Sequence, residues 1–139
     1  MRTPSATRSH RRERGAAAVE FVLVAPVLFV VLLGMLEASR MMVARCMLTY
    51  AVSVGARMGL AKSNTNTSTI KTAVVNAAPM LGLSTGSVSV ATSAASWTAR
   101  TSGNTVTVTY TGYTFTPIAG PFTKLASKTF NATSMETIP

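Results

Sequence analysis

The sequence predicts an α+β chain. A long N-terminal transmembrane helix continues outside the membrane and leads into a small antiparallel sheet with one short helix. Three observations point there. Residues 21–36 carry no charge at all. Helix-favouring Ala, Met, Leu and Arg then persist to about residue 60, with no proline after Pro26 until Pro79. Beyond residue 63, Val and Tyr alternate with Ser and Thr, the period of a half-buried strand.

The chain divides into three segments. Residues 1–15 (MRTPSATRSHRRERG) form a basic leader with a net charge of +4 from five Arg and Glu13. They lack apolar periodicity and are expected to be disordered. Residues 16–62 form the long helix, expected over about 16–60. Its stretch 16–36 is interrupted only by Glu20, and a bilayer span needs about 20 apolar residues. Pro26 removes one helical hydrogen bond there, a loss that membrane helices tolerate. Arg11, Arg12 and Arg14 precede the run. Positive charge is retained in the cytoplasm, so the N-terminus is expected inside and the C-terminal segment outside.

In the outer half of this helix Met41, Met42, Val43, Met47, Leu48, Val52, Val54 and Leu60 do not gather on one face at about 100° per residue. A helix apolar on several sides needs several packing partners. A head covers one side, and neighbouring helices are expected on the others. Cys46 reads as a small packed helix residue, or otherwise as a thiol or intermolecular disulfide, and the many Met of this stretch as core filler.

Residues 63–139 form the head. Ile70, Ala73, Val74, Ala77, Ala78 and Leu81 have helical spacing, so a short helix is expected at about 68–78, ending before Pro79 and capped by Thr67 or Ser68. Strands are expected around Val88–Val90, Ala95–Arg100, Thr105–Thr111 and 126–136. Ser102-Gly103-Asn104 is expected to turn into the third of these, and Trp97 to lie in the core. So small a head needs the long helix to complete its core.

Composition bears on function. The 139 residues carry 13 Lys+Arg and 4 Glu, with no Asp, one His and one Cys. Catalytic and metal sites need several such groups together. No enzyme, metal or cofactor is expected, and one Cys forms no internal disulfide. Net charge is +9, but the basic residues beyond the leader are dispersed and aromatics are few. Nucleic-acid binding needs clustered charge, so it is not expected. Only 12% of residues are charged, against about 25% in average globular chains. That balance suits a membrane or a buried assembly.

The informative constellation is Arg14-Gly15-Ala16-Ala17-Ala18-Val19-Glu20-Phe21. A secretory signal places its small-residue cleavage site after the apolar run; here Gly15 precedes it. A carboxylate at a membrane helix is costly and usually marks function. Cleavage between Gly15 and Ala16 would make Glu20 the fifth residue, one turn from the new amine.

At these residues the chain resembles the TadE-like family, type IV pilin-like proteins of the tight-adherence (Tad, Flp) pilus system. Gly15–Ala16 with Glu20-Phe21 resembles a prepilin-peptidase site. Gly34-Met35-Leu36-Glu37-Ala38-Ser39-Arg40 resembles the family's Gly-x-x-Glu-Phe-x-Arg segment, with Ala38 in place of the aromatic. Thr49–Arg57 resembles its Ala-rich stretch ending in Gly-Ala-Arg. The resemblance implies a pilin-like fold and processing at Gly15, Ala16, Glu20 and Phe21 by a prepilin peptidase. It also implies assembly or helix pairing through Glu20, Glu37, Arg40 and Arg57. The implied role is that of a minor pseudopilin in the bacterial cytoplasmic membrane. Its partners would be that peptidase, other pilin-like subunits, the inner-membrane Tad platform and lipid. TadF- and TadG-like proteins share the N-terminal pattern. Two plainer readings stand beside this one. Glu37 and Arg40 are spaced for an ordinary i,i+3 pair. The whole chain also fits an unprocessed single-pass, signal-anchored protein displaying a small extracytoplasmic binding module.

Overall fold

The computed structural model describes residues 9–61, 66–94, 102–118 and 128–138. They form helices α1 (Ser9–Ala61) and α2 (Thr67–Ala77) and strands β1 (Val88–Thr92), β2 (Thr105–Phe115) and β3 (Lys128–Thr137). Short 3-10 turns lie at Pro79–Leu81 and Thr85–Ser87. The fold is α+β, as the sequence predicts. The sheet is antiparallel in the order β1-β2-β3. The strand expected at 95–100 and Trp97 lie outside the described residues.

Two local expectations need correction. The helix begins at Ser9, upstream of the expected start at 16. Extending an existing helix costs no new nucleus, and Arg and Glu favour it. Asn66, not Thr67 or Ser68, is the N-cap of α2, with extended backbone (φ −84°, ψ 150°) and no side-chain capping bond. Its carbonyl accepts from the N–H groups of Thr69 and Ile70 instead.

The chain forms two compact units, Met1–Ala38 and Ser39–Pro139. In the first, α1 runs through Pro26 without interruption. Its large apolar side chains from Val19 to Leu36 are exposed around the helix, Phe21 at 70% and Leu28 at 54%. By length and composition, α1 is a candidate membrane span.

The second unit holds a packed core. Ala44, Leu48, Ala51, Val52 and Ala56 of α1 are buried with Ile70 and Val74 of α2 and with Val88, Val106, Val108 and Tyr110 of the sheet. Gly55 and Gly59 continue that face of α1. A Cβ at Gly55 would collide with Val74, and one at Gly59 would lie 2.8 Å from Val106 Cγ1. Helix and sheet meet closely because these positions have no side chain. Large apolar residues off this face stay exposed, Met42 at 69% and Tyr50 at 60%. Cys46 is exposed as well, which corrects its reading as a packed residue. It lies about 160° around the helix from Leu48.

In β2, Val106, Val108 and Tyr110 face the core, but beyond Gly112 the buried residue is odd-numbered Phe115. The cause is a bulge. Tyr110 pairs with Ala132 and Tyr113 with Phe130, so two residues oppose Asn131 alone. Gly112 supplies the required left-handed backbone (φ 79°), and its N–H donates to Asn131 Oδ1 at 3.0 Å. Gly103 (φ 87°) turns the chain into β2, and its N–H donates to the Ile138 carbonyl at 2.9 Å.

Candidate processing and assembly segment

Gly15, Ala16, Glu20 and Phe21 all lie on α1 and are exposed. Among the described residues, nothing stands within 4 Å of where a Gly15 Cβ would be. Helical geometry puts Ala16 and Glu20 one turn apart on one face, the i,i+4 relation that lets a charge at each position pair. Gly15 is the weak point of this stretch, because glycine costs a helix about 1 kcal/mol relative to alanine.

Glu37 is buried, only 8% exposed, the one buried charged side chain among the described residues. No buried side-chain nitrogen or oxygen there lacks a hydrogen-bond partner, as a buried carboxylate demands. The exposed arginine expected to pair helices, Arg57, stands 17 residues beyond Arg40, about 25 Å along the axis. Arg40 does something the sequence reading missed. Its guanidinium carbon lies over the Phe115 ring, 5.6 Å from the centroid, within the range of a cation–π contact. Phe115 is buried at the end of β2, and the contact ties α1 to the sheet.

On the outer face of α1, Met42, Arg45, Cys46, Thr49, Tyr50 and Ser53 line a shallow groove. Thr49 Oγ1 donates to the Arg45 carbonyl at 3.0 Å, and Ser53 Oγ to the Tyr50 carbonyl at 2.8 Å. Both hydroxyls are thus turned back onto the helix, and the groove presents mainly carbon and sulfur. The spacing 42, 46, 49, 50 and 53 was visible in the sequence, but it emerges only once the opposite face is known to be buried. Among the described residues, no three His, Cys, Asp or Glu side chains come together.

Residues 15–57 match the family model for TadE-like protein, in agreement with the resemblance drawn from the motifs. The match begins at Gly15 and ends at Arg57, so it covers the junction, the apolar run and most of the outer helix. No curated protein matches the chain. No solved structure matches it either.

Proposed function

From the TadE-like match over residues 15–57, which points to a Tad pilus-associated structural protein, we propose a more specific role. The chain is a minor pseudopilin-like membrane protein, cut between Gly15 and Ala16 by a prepilin peptidase and acting in assembly of Tad (Flp) pili for adherence. One observation carries this reading: the family match starts at the glycine that precedes a small residue, an exposed Glu20 and a membrane-length apolar run. The arginines before Gly15 keep the leader at the cytoplasmic face, where the peptidase acts, and the head crosses to the other side. After cleavage the Ala16 amine and Glu20 carboxylate stand one turn apart and pair within the chain or with a neighbouring subunit. The groove along Met42, Cys46 and Tyr50 offers neighbouring pilin-like helices, or the Tad platform, an apolar face.

Mass spectrometry of protein extracted from membranes tests this directly. An N-terminus at Ala16 is expected, shifting to the uncut leader in cells without prepilin peptidase. One observation favours the unprocessed anchor: α1 passes through Gly15 and Ala16 without a break, so the helix itself does not mark the junction. A leader retained on the mature protein in cells that hold the peptidase would establish that reading.

A further inference from the structure

In the sheet order β1-β2-β3, β3 is an edge strand, and among the described residues no strand pairs with its outer side. Its backbone is open in a defined pattern. The Ile138 N–H donates to the Asn104 carbonyl and the Ile138 carbonyl accepts from the Gly103 N–H, so Ile138 turns both groups toward β2. The Ser93 N–H donates to the Thr105 carbonyl, which sets the odd residues of β2 toward β1 and the even ones toward β3. Alternation along an antiparallel ladder then turns the N–H and C=O groups of Thr129, Asn131, Thr133, Met135 and Thr137 outward. Over its 10 residues β3 has no proline, and the bulge lies in β2. An edge of this kind is a ready template for another strand. Helix α2 packs against β1, at the other edge of the sheet.

The side chains of β3 select what that strand is. Ala132 is buried in the core and Phe130 packs against it, so alternation puts Lys128, Phe130, Ala132, Ser134 and Glu136 on one face. Lys128 and Glu136 are the two charged residues of the strand. They stand about 27 Å apart along it, out of reach of each other. Lay a second copy of β3 antiparallel to the first, about a two-fold axis through Ala132. Lys128 of each copy then stands opposite Glu136 of the other. Phe130 meets Ser134, a large side chain beside a small one, and Ala132 meets Ala132. Moving the axis by one residue loses this match. About Asn131, Lys128 faces Ser134; about Thr133, Glu136 faces Phe130. The axis through Ala132 also joins the outward backbone groups, Thr129 with Met135 and Asn131 with Thr133, each pair twice. At two bonds per pair that is about eight hydrogen bonds.

We propose that β3 is a self-pairing edge whose partner is β3 of a second copy of this chain, giving one continuous antiparallel sheet in the order β1-β2-β3-β3-β2-β1. The interface is isologous, so every favourable contact in it occurs twice. Backbone hydrogen bonds supply the attraction, and the Lys128–Glu136 pairs fix the register. Along α1, Arg40 lies over Phe115, Gly55 beside Val108 and Gly59 beside Val106, so this part of α1 runs antiparallel to β2. A two-fold axis perpendicular to the sheet reverses it. The α1 segments of the joined copies therefore run in opposite directions. The pairing joins opposed copies, and is distinct from lateral packing of parallel helices. It does not depend on cleavage at Gly15.

The test uses the full chain in detergent, with dimerisation followed by energy transfer between labelled copies. Lys128→Glu makes both ends of β3 acidic, and Glu136→Lys makes both ends basic. Each variant alone is expected to dimerise about tenfold more weakly than the parent, because two attractive cross-strand pairs become repulsive. Mixed in equal amounts, the two variants should form a heterodimer at least as tight as the parent dimer, since every pair is then of opposite sign. A second measurement leaves both charges in place and reads the register. Thr129→Cys and Met135→Cys are made in separate Cys46→Ser chains; both positions are exposed, and the pairing sets them opposite each other with Cα atoms about 5.5 Å apart, within disulfide reach. Oxidised with copper–phenanthroline, the mixture should yield the heterodimer disulfide, and neither chain alone should cross-link. A parent that stays monomeric at every concentration and gives no cross-link overturns the proposal. So does a dimer whose strength ignores all the charge variants, which would place the contact on α1 instead. Cross-linking of Thr129→Cys with itself would mean parallel strands and equally sinks it. Should the charge variants fail to fold, the cross-linking result decides alone.

Discussion

Gly59 meets Val106 with no room for a side chain: a Cβ on the glycine would lie 2.8 Å from the valine Cγ1. Gly55 is more tightly placed still, against Val74. Two opposing effects decide what alanine does at these sites. It favours the helix by about 1 kcal/mol, whereas overpacking a close-fitted core costs about 1–3 kcal/mol. Gly55→Ala is expected to destabilise by about 1–2 kcal/mol net, and Gly59→Ala by less, since a shift of one Val106 methyl relieves it. Gly15→Ala, in open space, should instead strengthen its helix. Thermal unfolding in detergent, followed by circular dichroism, would rank the variants. A Gly55→Ala protein as stable as the parent would show that this seam is looser than described.

The bulge in β2 gives a second test. Alanine at Gly112 must adopt φ near 79°, at a cost of about 1–2 kcal/mol. Asn131→Ala removes the acceptor of the Gly112 N–H, and at this exposed site a loss of about 0.5–1.5 kcal/mol is expected. Both act on one feature, so the double variant should lose less than the two single losses added together. Melting temperatures of the four proteins provide the measurement.

The strands were legible because alternation is local: Val106, Val108 and Tyr110 announce a buried face without knowledge of what they pack on. The bulge was legible too, since the apolar positions pass from even to odd at Gly112, although the sequence reading stopped that strand at Thr111. The buried face of α1 was hidden, because its marks are Ala44, Ala51, Gly55, Ala56 and Gly59. Small residues carry little weight in a hydrophobic pattern, yet close helix–sheet approach requires them. The larger Met42 and Val43, prominent in the apolar pattern, point outward. The contact of Arg40 with Phe115 joins positions far apart in the chain and follows from register and bulge together. Register cannot be fixed from one segment alone. The junction at Gly15 was legible as a motif, and the geometry adds only that it is exposed.

Arg40 and Phe115 invite a double-mutant cycle. Phe115→Leu keeps most of the buried apolar surface and removes the ring, while Arg40→Met keeps the stem and removes the charge. A coupling energy of about 0.5–1 kcal/mol is expected for a partly exposed cation over an aromatic ring. The parent, the two single variants and the double variant, unfolded by urea in the same detergent, yield it. Coupling indistinguishable from zero would reduce the contact to ordinary packing of the arginine stem.

Glu20 is the residue on which the proposed processing and assembly turn. It is exposed on α1, between leader arginines and an uncharged run long enough to cross a bilayer. Removing a carboxylate there makes the segment more apolar, so Glu20→Ala should insert into membranes at least as well as the parent. What it loses is the negative partner one turn from the Ala16 amine. If pairing of that amine with Glu20 guides subunits into register, the variant is expected to be membrane-bound, cut at Gly15 and deficient in pilus formation. If Glu20 instead helps the peptidase recognise its substrate, the uncut leader should accumulate. Intact mass of the membrane fraction and counts of surface pili by electron microscopy separate these outcomes. Glu20→Asp, which keeps the charge on a shorter stem, should recover part of the function. Normal processing together with normal pili in Glu20→Ala cells would remove the carboxylate from the mechanism.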